Sequence, residues 1–362
     1  MSVPYEEIDT PALIVDLDTV AANIAEMAGV MARNGVRLRP HIKTHKMPEI
    51  ARLQLEAGAA GITCAKLGEA EVMADAGCDD ILLAFPLWGR PKLERIAALR
   101  ERARVRVSLD SVEVAEGLGG VGGASPDDPI EVFVEVDTGL HRLGRPPGVP
   151  TAELVAAVRK VPGVSVAGLL THAGHSYRST SLDELRAVAE REVTDLTETA
   201  ELCGGELEIS VGSTPTSRFG AAVPGVTEIR PGTYVFNDAT MIRLGVATEA
   251  TAAARVLTTV IARPAPDRFV VDAGSKSLTS DGAGTPGWIM VAGRPELSMR
   301  FLSEEHGIGR CAAETAGPEI GERLELIPSH ACPVSNLFDT AYGVRGGRLD
   351  HELAVAARGK VR

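Results

Sequence analysis

Arg39-Pro40-His41-Ile42-Lys43-Thr44-His45-Lys46 closes the second strand-like run of the chain, residues 36–42. Strand alternation places Arg39, His41 and Lys43 on one side of that run. If the run belongs to a βα barrel, its C-terminal end is where catalytic groups gather. An amine at such a mouth has its pKa lowered by desolvation and by cationic neighbours, which suits Schiff-base chemistry. On composition alone, a solvated basic loop that merely binds an anion explains the stretch equally well.

Outward from there, short β-branched runs alternate with helical stretches. Strands read at 12–16, 36–42, 61–65, 81–85, 105–109, 130–136, 166–170, 208–211 and 228–229. Helices read between them, the longest over Leu182–Cys203. About eight βα repeats over ~240 residues is the rhythm of an α/β fold of the (β/α)8 barrel type. A doubly wound open sheet is the alternative, because periodicity does not show closure. After residue 246 the texture changes to strand-like runs at 252–261, 268–271, 288–291 and 323–327, set between Gly and Pro turns. The expected division is a barrel over 11–245, then a smaller mainly β C-terminal domain over 246–362, with 1–10 a candidate addition to it. Residues 117–129 (GLGGVGGASPDDP) read as a flexible loop. They lack the strand-then-helix context of a dinucleotide site. The charged run 184–192 reads as a solvated helix face.

Composition narrows the function classes. The chain has 362 residues, 44% hydrophobic, with 37 Lys+Arg against 49 Asp+Glu and a formal charge of −12. That balance disfavours nucleic acid or an anionic membrane as partner. No apolar run approaches the ~20 residues that span a bilayer. The N-terminus lacks the basic, apolar and small-residue order of a secretory signal. Five irregularly spaced cysteines do not make a disulfide framework, which points to a reducing cytoplasm. A cytoplasmic globular enzyme is the class that remains.

Three further clusters carry chemistry. Gly212, Ser213 and Thr214 follow a strand, where N–H groups and hydroxyls can cradle a phosphate, although such clusters are commonly plain loops. His172, His175 and Tyr177 stand where the 166–170 strand ends, suited to stacking on a ring, to proton transfer, or to a structural cluster. In His330-Ala331-Cys332, an extended backbone would turn imidazole and thiolate to one side, a pair that selects zinc over harder cations. A buried, non-ligating cysteine is the competing reading.

RPHIKTHK (39–46) resembles the cofactor-lysine segment of fold-type III pyridoxal 5'-phosphate (PLP) enzymes, of the metal-dependent D-serine dehydratase and D-threonine aldolase group, distant kin of alanine racemase. The likeness continues in order through CAKLGEAEVMADAG (64–77), VEVDTGLHRLG (134–144), GLLTHAGHSY (168–177) and VGSTPT (211–216). It persists through EIRPGTYVFNDATM (228–241), VVDAGSKSLTSD (270–281), EEHG (304–307) and SHACPVSNL (329–337). The resemblance implies a PLP-binding barrel followed by a β domain.

By that resemblance Lys43 holds PLP as a Schiff base, while Lys46 is a nearby surface lysine. Arg142 lies near the phenolic oxygen, and Arg230 faces the pyridine nitrogen. Gly212, Ser213 and Thr214 supply one half of the phosphate cup, and Gly232, Thr233 and Tyr234 the other. His172 or Tyr177 lies near the cofactor. His330 and Cys332 match the metal pair of the dehydratase branch, with zinc favoured. The aldolases carry Asp at the second position, which favours manganese or magnesium. The stretch Pro333-Val334-Ser335-Asn336 is more aldolase-like. The implied activity is a lyase on small β-hydroxy D-amino acids, with D-serine-type dehydration to a 2-oxo acid and ammonia favoured. D-threonine aldol cleavage to glycine and an aldehyde is the alternative. A racemase using Tyr342 as second acid/base, or a non-catalytic PLP-binding protein, is a weaker fit. A homodimer is implied by resemblance alone. Asp272, Lys276, Asp281 and His306 are candidates to line the site.

Overall fold

A computed structural model describes residues 5, 7–121, 125, 127–283, 287–312 and 316–362. They form two compact units, one of residues 25–43, 48–232 and 359–362, the other of 1–24, 44–47 and 233–358. The fold is α/β, with a barrel of parallel strands in the first unit and a mainly β second unit.

The first strand, β1 (Ala12–Asp16), forms as the sequence predicts but lies outside the barrel. It pairs antiparallel with residues 254–257 and parallel with 341–344. Its burial is nearly complete along its length. A run buried on both faces carries no signal of which sheet it joins, so the sequence reading counts it as a barrel strand.

The barrel uses the next eight strands, all parallel. They are β2 (Arg37–Leu38), β3 (Ile62–Cys64), β4 (Asp80–Leu83), β5 (Arg104–Leu109), β6 (Ile130–Glu135), β7 (Val164–Leu170), β8 (Glu208–Val211) and β9 (Glu228–Ile229). They neighbour in the order β2-β9-β8-β7-β6-β5-β4-β3. A parallel bridge from His41 to Thr63 joins the continuation of β2 to β3 and closes the ring. Leu82, Phe133 and Leu170 pack together inside. The strand read over 36–42 is shorter than expected, because Ile42–Thr44 turns into a 3-10 helix. Lys43 therefore stands on that turn rather than on a strand. Residues 112–121 are helical, so the loop read at 117–129 starts later, and part of it lies outside the described residues.

The second unit is built on a nine-stranded sheet. Its strands after β1 are β10 (Ala254–Ala265), β11 (Arg268–Val271), β12 (Met290–Val291), β13 (Leu297–Leu302), β14 (Gly307–Cys311), β15 (Arg323–Ile327), β16 (Thr340–Arg345) and β17 (Arg348–Ala354). The order is β11-β14-β13-β12-β15-β10-β1-β16-β17. Tyr5 and Ile8 join Ala12, Ile14, Leu257 and Val344 in its core, with Tyr342 and Leu349 packed against them. Residues 1–4 and 6 lie outside the described residues. Tyr342 is thus partly buried, with its ring packed against this core.

Candidate active site

In the barrel unit the electrostatics converge on Lys43. His41 Nδ1 accepts the Lys43 N–H at 3.4 Å. Burial, then the charges of Lys43 and Arg230, hold the His41 imidazole well below its ordinary pKa. His172, at the end of β7, is lowered to about 3 by burial and by Lys43, with Arg142 and Arg230 adding to the effect. Its Nδ1 donates to the Gly212 carbonyl, which fixes the tautomer and leaves Nε2 as a lone-pair acceptor. Both rings are therefore neutral beside cationic groups. That is a setting for an anionic ligand.

Arg230 is buried and spends two N–H groups on the barrel, donating to Ser210 Oγ and, at 2.6 Å, to the Thr171 carbonyl. Burial lowers its pKa to about 10 against the pull of Glu228, Glu135 and Glu192. Glu135, at the end of β6, is pushed up by burial, while Arg142 and Arg230 oppose the shift. Its Oε2 is buried without a hydrogen-bond partner. Arg142 itself is exposed, and its charge reaches both Glu135 and His172.

The Gly212-Ser213-Thr214 turn lies where β8 ends. A Cβ at Gly212 would sit 3.1 Å from the Arg230 carbonyl oxygen, so the two strand ends approach too closely for a side chain. Ser213 Oγ lies 3.1 Å from Ser176 Oγ and 3.1 Å from Thr216 Oγ1. Thr214 is buried, and Tyr177 is partly buried on the 3-10 turn Gly174–Arg178. Of the other expected cup residues, Gly232 ends the barrel unit, whereas Thr233 and Tyr234 belong to the second unit, buried on the turn Thr233–Val235. Hydroxyls, a glycine cradle and surrounding cations fit a phosphorylated, anionic cofactor.

In the second unit His330 and Cys332 do face each other, though not on an extended segment. His330 is the extended N-cap residue of a short helix, Ala331–Ser335, and Cys332 lies within that helix. Partial burial disfavours a charged imidazole. The Cys332 thiolate, Asp238 and Asp281 outweigh it and raise His330 to about 10. Asp281 Oδ2 lies 3.0 Å from His330 Nδ1. Asp238 accepts the Met241 and Ala331 N–H groups. Thr44, the residue after Lys43 in the chain, places its hydroxyl 3.1 Å from Cys332 Sγ, and Thr233 Oγ1 lies 3.8 Å from it. Among the described residues no group of three or more His, Cys, Asp and Glu is arranged to hold a metal. His330 and Cys332 therefore stand as a two-donor pair in a negative environment, which suits a soft divalent cation with positions left for oxygen ligands.

Asp272 accepts from Thr10, Thr258 and the Thr259 N–H. Lys276 pairs at the surface with Glu304 and Glu305. His306 sits in the turn before β14. His175 packs over Gly139. Lys46 is buried, not a surface lysine, and donates to Asn336 Oδ1 at 2.9 Å. The sequence reading missed Glu192, which is buried on a helix face read as solvated, together with Glu135 and Asp238. The recurrence of Leu185, Ala189, Glu192, Val193 and Leu196 at helical spacing is the signal that places Glu192 inside.

The parallel barrel thus gathers a lysine, two neutral imidazoles and a glycine-serine turn at the ends of its strands. The chain belongs to the family of the alanine racemase N-terminal domain, whose model matches residues 15–240. A serine dehydratase domain model matches residues 253–344. The chain is 36% identical to a D-threo-3-hydroxyaspartate dehydratase from Delftia sp. (strain HT23), covering 91% of this chain and 93% of that protein. The crystal structure of D-threonine aldolase from Filomicrobium marinum matches with TM-score 0.91 and 35% identity, over 98% of this chain and 97% of that one. A cysteine-to-alanine mutant of D-threo-3-hydroxyaspartate dehydratase, in the metal-free form, matches with TM-score 0.87 and 34% identity, over 98% and 99%. A second mutant of that enzyme replaces a histidine two positions earlier. These relatives are named as a dehydratase and an aldolase, both lyase activities.

Proposed function

We propose that this chain is a PLP- and metal-dependent lyase acting on β-hydroxy D-amino acids, with elimination to a 2-oxo acid and ammonia as its main reaction. The observation that carries the reading is the Thr44–Cys332 contact. It ties the thiolate of the His330/Cys332 pair to the residue next to Lys43. The spacing of that pair equals the spacing of the histidine and cysteine replaced in the dehydratase mutants.

When bound, PLP supplies an electron sink next to the substrate Cα. Lys43 Nζ would hold the cofactor, and its amine is the group that would accept the substrate Cα proton. Ser213, Thr214 and Gly212 seat the phosphate, with Gly232, Thr233 and Tyr234 as the second half of the cup. Arg142 would complement the phenolic oxygen, and Arg230 would serve the ring nitrogen. His172, kept neutral by burial and by the charges of Lys43, Arg142 and Arg230, would stand near the ring, and Tyr177 would offer a hydroxyl. His330 and Cys332 would hold a divalent cation, zinc by their donor chemistry, whose Lewis acidity suits a β-oxygen. Retro-aldol cleavage is the second reading, favoured by the likeness to the Filomicrobium aldolase. The proposal includes a homodimer and a cytoplasmic location. No helix among the described residues is long and apolar enough to cross a membrane. Among the described residues no two cysteines are joined by a disulfide.

Product analysis by mass spectrometry tests the reading on D-serine, D-threonine and D-threo-3-hydroxyaspartate, with and without chelator. Chelator-sensitive 2-oxo acid is expected. Glycine as the main product would select the aldolase reading. Inertness toward all three substrates would remove both.

A further inference from the structure

Glu192 sits midway along the helix Leu182–Cys203, whose start is capped by Ser181 Oγ accepting the Glu184 N–H. Its residue is 1% exposed. A carboxylate this deep carries a large desolvation cost unless it is paired or protonated. The Glu192 Oε1 is 2.7 Å from Thr216 Oγ1, while Oε2 is buried with no hydrogen-bond partner. Burial pushes its pKa to about 7 against the opposing effects of Thr216, the Arg230 charge and the Ala173 amide. Arg230 is the one charged group acting on it, and that guanidinium is already engaged with Ser210 and Thr171.

From Thr216 a run of buried hydroxyls leads to the phosphate turn, with Thr216 Oγ1 to Ser213 Oγ at 3.1 Å and Ser213 Oγ to Ser176 Oγ at 3.1 Å. Each hydroxyl has one proton, so the direction of the run is set at its end. An ionised Glu192 only accepts. Thr216 then donates to it, Ser213 donates to Thr216, and Ser213 turns a lone pair outward. A protonated Glu192 donates to Thr216, Thr216 donates to Ser213, and the Ser213 proton points away from Thr216, available to Ser176 Oγ or to a phosphate oxygen.

We propose that Glu192 is a positioning residue for the cofactor phosphate: in its neutral form it polarises the Thr216–Ser213 hydroxyls so that Ser213 donates to a phosphate oxygen. The inference rests on the PLP reading above and adds to it one proton, taken up when the phosphate is seated. A fixed donor at Ser213 favours an anion, and a fixed lone pair repels one.

Dissociation constants of cofactor-free full-length protein for PLP, and for pyridoxal as the phosphate-free control, test this at pH 7.5 and 8.5. Affinity for PLP should fall roughly tenfold more than affinity for pyridoxal over that interval, the linkage of one proton. Glu192→Gln, a neutral isostere, should show the same change in affinity for PLP as for pyridoxal between pH 7.5 and 8.5. Thr216→Val, which cuts the run, should lose the same pH difference and serves if the first variant does not fold. Parallel wild-type profiles for the two ligands, or variants that keep the wild-type slope, would overturn the relay and leave the cofactor reading standing. Absence of binding by either ligand at any pH would overturn both.

Discussion

Asp281 Oδ2 lies 3.0 Å from His330 Nδ1, and the two residues come from segments 49 positions apart in the chain. With Nδ1 engaged, Nε2 is the imidazole nitrogen left for a cation. A carboxylate behind a ligating histidine fixes ring orientation and raises its basicity. Asp281→Asn should therefore weaken metal binding by about 10–100-fold while PLP stays bound. Metal titration followed by metal analysis, alongside the cofactor's visible absorbance, checks this. Unchanged metal affinity would remove Asp281 from that role.

Cys332→Ala should lose bound metal and turnover together, since one of two protein donors is gone. Cys332→Asp replaces a soft donor with a hard one. That variant should prefer manganese or magnesium to zinc and give proportionally more glycine from D-threonine. A Cys332→Ala variant that keeps its zinc and its rate would show that the thiolate is not a ligand.

Inside the barrel, Arg39 is 1% exposed, with its Nε 2.7 Å from Glu228 Oε2 and its Nη1 2.7 Å from Asp80 Oδ1. Arg39→Ala strands a buried carboxylate and should cost about 3–5 kcal/mol in urea unfolding. Burial alone would raise the Glu228 pKa. The charge and hydrogen bond of Arg39, together with Ser210, outweigh it and hold the carboxyl below its ordinary value. A depressed folded pKa gives stability that is full above the unfolded value of about 4.3 and fades as pH falls through the folded one. Wild-type stability should thus drop on acidification below about pH 4.3, and Arg39→Ala should lose that part of the dependence. Identical acid profiles for the two proteins would contradict the pairing.

Much of this was legible because strand and helix periods are local. The runs at 130–136 and 208–211 fall nearly where β6 and β8 lie. What failed was set by partners distant in sequence. β1 gives the same apolar signal whether it pairs with barrel strands or with residues 254–257 and 341–344. Lys46 looks like a surface lysine until Asn336, far along the chain, accepts its proton. Glu192 is hidden by its charged neighbours, because only helical phase separates a buried carboxyl from a solvated one. His330 and Cys332 were found by spacing, but Asp238 reaches His330 through folding alone.

The central claim is that Lys43 carries the cofactor, and Lys46, three residues on, is its natural rival. Reducing the PLP-loaded protein with borohydride fixes any lysine–cofactor imine as a stable amine, and peptide mass spectrometry then reads the modified position. A single phosphopyridoxyl group on Lys43, absent from Lys43→Ala together with the visible absorbance, is the predicted result. The same mass added to Lys46 instead, or to no lysine at all, would contradict the account.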